Sequence, residues 1–356
     1  MATLYLTEQH SVVRKDGDTL VVRIPADREK GTEKRKVRVP LMKVDQVVVL
    51  GDSTVTTPAL LALLEQRVGI CFCTYRGQFR GWLSPEFSRN GLLRIRQHQV
   101  RSDYAHQVKL AQAFVRGKLS NQRTLLLRSN RKLKDQKVAQ AAARLAEIIT
   151  QVEGVRGDGD VEVDPGVPQA GTPMGTLTGL EGAGTAAYFG VFGHLLKGDL
   201  AEHWQGRHRR PPTDPINALL SFGYVLLMNN VMSAINLVGL DPYAGYLHSS
   251  QYGKPALALD LMEEFRPIVV DSVVLSLINN RILGEKHFKE EMGAYRLTDA
   301  GRRRFLERFE ARLNETIRHP VFKYKATYRR CLELQTRILA KALQEEIPAY
   351  RPFLVR

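Results

Sequence analysis

Cysteine is nearly missing from this 356-residue chain: Cys71, Cys73 and Cys331 are all there is, an odd number with no CxxC spacing. That excludes a disulfide framework and gives no sign of a zinc site, and it fits a reducing cytoplasm. Long apolar runs are missing too. The most apolar stretch, Ala218 to Met228, falls well short of the roughly 20 residues that span a bilayer. Asn229, Asn230 and Asn236 follow it, so it reads as a buried helix and no membrane partner is expected. Met1 to Gln9 alternates apolar and polar residues without a basic start, which argues against a secretory signal. There is no GxxxxGK[ST], no GxGxxG and no GxSxG, and no serine, cysteine or lysine stands out as a nucleophile, so nucleotide hydrolysis is not expected. Acids are under-represented: 37 Asp and Glu face 52 Lys and Arg, a net charge of +15 that attracts polyanions such as DNA or RNA. Net charge by itself also reports solubility, so its distribution has to decide.

A hydrophobic content of 44% is enough to fill real cores, and the length suits two or three domains. Up to about Pro85 the chain reads as short Val- and Ile-rich strands: Leu4 to Leu6, Ser11 to Val13, Thr19 to Ile24, Lys36 to Val39, Val44 to Leu50, Gly69 to Cys73 and Gln78 to Trp82. Asp16-Gly17 signals a hairpin turn, Asp27 to Lys36 a charged hairpin tip, and Thr57 to Gln66 a helix with Pro58 near its start. From about Gln97 the pattern turns helical. The expected organisation is α+β: a β-rich N-terminal domain over 1–96 and an all-α domain over 97–356. Between Arg101 and Arg144 eleven Lys and Arg stand against Asp103 and Asp135 alone, which favours phosphate contact over an ordinary solvated helix face. Gly154 to Gly179, rich in Gly, Asp, Pro and Thr, reads as a long flexible connection. Trp204 to Pro212 and Tyr243 to Lys254 read as loops, and Gly239-Leu240-Asp241-Pro242 stops a helix that starts near Asp214.

Three segments carry polar residues beside apolar surfaces. Glu181, in GLEGAGTAAYFGVFGHLL, is placed at the start of an apolar helix whose small neighbours Gly182, Ala183 and Gly184 admit a second backbone or a ligand, although a carboxylate there also suits the helix dipole. His248 lies in a loop bracketed by Gly245 and Gly253, where a histidine is often simply exposed. Asp260, Glu263 and Glu264 in DLMEEFRP crowd one helix surface, where either Arg266 and solvent or a divalent cation balances them. Two carboxylates with one imidazole form an N/O ligand set suited to Mg²⁺ or Mn²⁺, the ions that assist phosphodiester transfer.

With those residues in view, the chain resembles the CRISPR adaptation integrase, the family called in words CRISPR-associated protein one. The similarity runs nearly end to end, through LYLTEQHSVVRKDGDTLVV, the glutamate motif GLEGAGTAAYF, RHRRPPTDPINALLSFGYVLL and GLDPYAGYLHSSQYGKPALALDLMEEFRPIVVD. The resemblance implies a β-rich domain that forms a homodimer and a helical domain that is catalytic and binds DNA. It also implies metal ligation by Glu181, His248 and Glu263, with Asp260 as a supporting catalytic acid and Glu264 as a possible alternative to Glu263. The activity it implies is metal-dependent joining of 3′-hydroxyl ends of spacer DNA to the leader-proximal repeat of a CRISPR array, together with a small partner, CRISPR-associated protein two. Double-stranded and branched DNA are the implied substrates. Arg207, Arg209, Arg210 and Lys254 are candidate phosphate contacts, although arginines beside Pro-Pro also brace loops. The alternative reading is a structure-specific nuclease of DNA repair, in which water replaces the 3′-hydroxyl at the same site. The connection before the glutamate motif looks longer than the family's.

Overall fold

The computed structural model describes residues 2–26, 33–75, 77–86, 88–157, 171–208, 211–248 and 251–355. The chain divides into two compact units, Met1–Ser88 and Arg89–Arg356. The divide falls at 88/89 instead of 96/97 because Gly91–Ser102 is one uninterrupted helix, capped by Asn90, whose side chain accepts the Leu93 N–H at 3.1 Å.

In the first unit the strands are β1 (Ala2–Leu6), β2 (Ser11–Asp16), β3 (Thr19–Ile24), β4 (Arg35–Pro40), β5 (Val44–Leu50), β6 (Ser53–Val55), β7 (Gly69–Cys73) and β8 (Phe79–Leu83). They form two four-stranded sheets, ordered β1-β5-β7-β8 and β4-β3-β2-β6. Strands β1, β5 and β7 run parallel, with β8 antiparallel at the edge, and β6 joins β2 in parallel. Asp16 pairs with Thr19, leaving Gly17 and Asp18 as a two-residue turn in which Gly17 takes φ +56°, a left-handed value that glycine reaches cheaply. Val13, Leu20 and Val22 from one sheet and Val47, Val49 and Ile70 from the other share a core with Ala59 and Leu63 of α1 (Thr57–Glu65). Strand β6 was not among the expected strands, since three residues are too few to show alternation. Of the expected hairpin tip, residues 27–32 lie outside the described residues, while Arg35 and Lys36 already belong to β4.

The second unit is built from α2 (Gly91–Ser102), α3 (Tyr104–Leu133), α4 (Gln136–Gly154), α5 (Pro173–Gly190), α6 (Pro215–Val238), α7 (Ala256–Glu263), α8 (Ser272–Asn279), α9 (Asp299–Asn314) and α10 (Tyr328–Leu343). It is not all helix. Two small antiparallel hairpins, β9 (Phe288–Glu291) with β10 (Ala294–Leu297) and β11 (Thr316–Arg318) with β12 (Lys325–Thr327), interrupt it. Each strand is only three or four residues long, below the length at which a period of two separates from loop.

The two acids in the basic stretch prove to be N-caps. Asp103 accepts the His106 N–H at the head of α3, and Asp135 accepts the Val138 N–H at the head of α4. Their charge therefore serves helix starts, and Lys109, Arg131, Lys132, Lys134 and Lys137 stay exposed around them. The expected connection over Gly154 to Gly179 is shorter at its far end than its composition suggests. Helix α5 already begins at Pro173, where Thr172 caps it by accepting the Gly175 N–H at 3.1 Å. Residues 158–170 lie outside the described residues. Helix α6 spans 24 residues, so it is long and apolar enough to cross a membrane, more than the Ala218 to Met228 run implied. Most of it is nonetheless buried in the unit, where the buried Asn230 amide donates to Leu226 O and accepts from Arg329.

Candidate active site

Helix α3 runs along the middle of the second unit and packs against α4, α5 and α7. Two glycines set how close it comes. A Cβ on Gly117 would lie 2.8 Å from Glu264 Cγ, and one on Gly184 would lie 2.4 Å from Leu119 Cδ2, so α7 and α5 both approach α3 more closely than larger residues allow. Of the small residues beside Glu181, Gly184 is therefore the packing residue, while nothing lies near Gly182. Glu181 sits in the middle of α5, not at its start, which removes the helix-dipole explanation for it. Tyr188, two turns on and so on the same face, donates its hydroxyl to Asp271 at 2.9 Å; Tyr224 donates to the other Asp271 oxygen at 2.7 Å. That buried trio fixes the rotation of α5, and with it the direction of Glu181.

Asp260 organises the loop that carries His248. Fully buried on α7, its Oδ2 accepts the Tyr246 and Leu247 N–H groups at 2.6 and 3.1 Å, and its Oδ1 accepts the His248 N–H at 2.9 Å. Gly245 permits this, since a Cβ there would meet Ala256 at 2.6 Å. The same Oδ1 lies 2.7 Å from His248 Nδ1. A carboxylate only accepts, so Nδ1 carries a proton and Nε2 is the ring nitrogen that faces the far side. Nε2 points to Glu263 Oε1, 3.9 Å away.

Glu263, the last residue of α7, is almost fully buried. After it the helix passes into a π-helical turn, Arg266–Asp271, with Pro267 in its first turn, a local widening of a kind often found at functional sites. The turn places Arg266 Nη2 3.3 Å from Glu263 Oε1, and the guanidinium lies over the Tyr224 ring, 4.8 Å from its centre. On the other side the Lys118 ammonium, 2.8 Å from Glu263 Oε2, also contacts Glu181, which accepts a second hydrogen bond from Thr185 at 2.9 Å. Burial raises the Glu263 carboxyl, but Arg266, then Lys118 and His248, outweigh it and hold it at about 2.

Glu264 belongs elsewhere. It turns away from the cluster, accepting from the Tyr350 hydroxyl and the Phe353 N–H at 2.7 Å each, and anchors the C-terminal segment. Burial pushes its carboxyl up to about 8, only partly offset by those two donors. Because the folded value is raised, the group contributes stability that is complete below about 4.5 and is lost as pH rises through about 8. Asp271, pushed by burial to about 6, loses its contribution earlier. Between pH 7 and 9 the melting temperature is therefore expected to fall in the natural protein and to stay level in Glu264→Gln. Thermal denaturation at fixed salt checks this, and parallel curves for the two proteins would assign the alkaline loss to another group.

The structure thus brings Glu263 and His248 together and joins Glu181 to them through Lys118. Asp260 stands behind His248 instead of facing the cluster, and the expected crowd of three carboxylates is dispersed. Among the described residues no three His, Cys, Asp or Glu side chains converge closely enough to enclose a metal, because Lys118 lies between the two glutamates. Arg207 braces the loop onto α6, donating to His208 O and Asn217 Oδ1 at 2.6 Å each. Arg209 and Arg210 lie outside the described residues, and Lys254 is half-buried. Lys118 was counted only as one of the basic residues, yet its position gives a signal. Ala111, Phe114, Val115, Lys118 and Leu119 form the buried stripe of α3, and a lysine on an apolar stripe needs a buried partner.

Residues 4–311 match the family model described as CRISPR associated protein Cas1. A CRISPR-associated endonuclease Cas1 from Thermus thermophilus is 38% identical over 356 residues, covering 100% of this chain and 98% of the relative. A CRISPR-associated exonuclease Cas4/endonuclease Cas1 fusion from Geobacter sulfurreducens is 37% identical over 99% of this chain, which spans 60% of the fusion's length. Among solved structures, a casposase bound to integration product superposes with a TM-score of 0.83 at 23% identity, covering 99% of this chain and 93% of that one, and so shares the fold.

Proposed function

The chain belongs to the Cas1 family of CRISPR-associated proteins, and from that premise we propose that it joins 3′-hydroxyl ends of short DNA to a target duplex in CRISPR adaptation, using Glu181, His248 and Glu263. The observation that carries this reading is the approach of His248 Nε2 to Glu263 Oε1 at 3.9 Å, with Nδ1 held by Asp260.

The donor chemistry of the site suits a divalent ion that takes the place of Lys118 between the two glutamates. Glu263 Oε2 is buried and faces the Lys118 ammonium at 2.8 Å. Glu181, Glu263 and His248 Nε2 are the donors that would hold Mg²⁺ or Mn²⁺. When bound, such an ion neutralises charge that develops on the phosphoryl group. The protein orients these donors: Asp260 sets the histidine, Arg266 and Lys118 keep Glu263 ionised, and the Tyr188–Asp271–Tyr224 trio aims α5. In the reaction the attacking 3′-oxygen bonds to phosphorus as the bond to the target strand's own 3′-oxygen breaks. The proton lost by the first hydroxyl is gained by the second, so one phosphodiester replaces another. Lys109, Arg131, Lys132, Lys134 and Lys137 suit the DNA backbone. The small CRISPR-associated protein two and a second copy of this chain are the partners this reading includes.

The test incubates the protein with that small partner, Mn²⁺, supercoiled plasmid and a short duplex ending in either a 3′-hydroxyl or a 3′-dideoxy sugar. Covalent joining is expected with the hydroxyl and not with the dideoxy end. Plasmid cleavage that ignores the end, with no joined product, would instead establish a hydrolytic nuclease.

A further inference from the structure

Lys118 is 4% exposed, yet its ammonium touches both Glu181 and Glu263. A buried ammonium is strongly unfavourable unless paired, and two carboxylates facing each other, one of them buried, repel. The three groups stabilise one another. The manner of contact matters. Glu263 Oε2 lies 2.8 Å from the Lys118 ammonium, while its other oxygen is met by Arg266. A lysine on a four-carbon stem is a movable point charge, unlike the fixed fork of an arginine.

On these grounds we propose that Lys118 is a built-in counter-ion: it holds Glu181 and Glu263 together before a divalent ion arrives, and the ion must displace it. Lys118 then sets the affinity of the site, because each cation competes for the same pair of carboxylates. This inference rests on the metal reading given above. A purely structural ion pair makes a different prediction, since it leaves ion affinity independent of the lysine.

The test uses the full chain stripped with EDTA, with Mn²⁺ titrated calorimetrically at constant pH, and compares the natural protein with Lys118→Met. Lys118→Met should bind Mn²⁺ about 10-fold more tightly. It should also melt lower than the natural protein in EDTA and recover most of that loss when Mn²⁺ is added, whereas the natural protein changes little. Should methionine not fold without metal, Lys118→Gln, which can still donate to both glutamates, carries the same comparison. Equal Mn²⁺ affinity in the natural and substituted proteins overturns the counter-ion role and leaves the metal site standing. Absence of Mn²⁺ binding in both overturns the metal site and this inference with it.

Discussion

Glu181→Ala is expected to slow strand joining by about 10³-fold, equivalent to about 4 kcal/mol in the barrier, while moving the melting temperature by no more than about 2 °C. The two expectations separate because Glu181 plays little part in the packing of α5. It is partly exposed, it sits mid-helix where alanine is the better helix former, and Lys118 keeps its contact with Glu263 when Glu181 is gone. Its loss removes one of the two carboxylates that face each other across Lys118, and therefore a donor for the ion. Single-turnover joining assays beside thermal melts test both halves. Joining within about three-fold of the natural rate would remove Glu181 from the proposed site, and a melt lowered by about 10 °C would make it a structural residue instead.

Asp260→Asn is expected to lower both activity and stability. The carboxylate accepts three backbone N–H groups and faces Nδ1 of His248, all within one buried pocket. An amide has one accepting oxygen, so its NH₂ would face donors and leave at least one buried N–H unpaired, a loss of about 1–3 kcal/mol. The histidine would lose the acceptor that fixes its tautomer, and substitutions of such supporting groups lower metal affinity or activity by about 10- to 100-fold. Melting temperature and Mn²⁺ affinity measured together separate the two effects. Asp260→Glu restores the charge but not the reach, so it should recover little. If Asp260→Asn left Mn²⁺ affinity and joining rate unchanged, His248 would not depend on it for orientation.

Residue pattern was informative where local rules suffice. Val- and Ile-rich runs, the Asp16-Gly17 turn and the stop at Gly239 depend on neighbours in sequence, and the corresponding elements lie where those signals put them. Short elements carried too little signal: Ser53–Val55 and the two hairpins of the second unit have three or four residues per strand. The start of α5 was hidden because Pro173 and the glycines that follow read as loop, whereas Thr172 and Pro173 together make a good helix start.

The sequence by itself singled out the candidates: Glu181, His248, Asp260 and Glu263 are named by their types, their spacing and the family they resemble. It could not divide the work among them, because that depends on which way each side chain points. Only the tertiary structure turned Asp260 behind the histidine, sent Glu264 to the C-terminal segment and brought Lys118 between the two glutamates. The reason is packing. Gly117 and Gly184 let α7 and α5 close on α3, and that approach, between residues far apart in the chain, is what places a basic side chain where two acids meet.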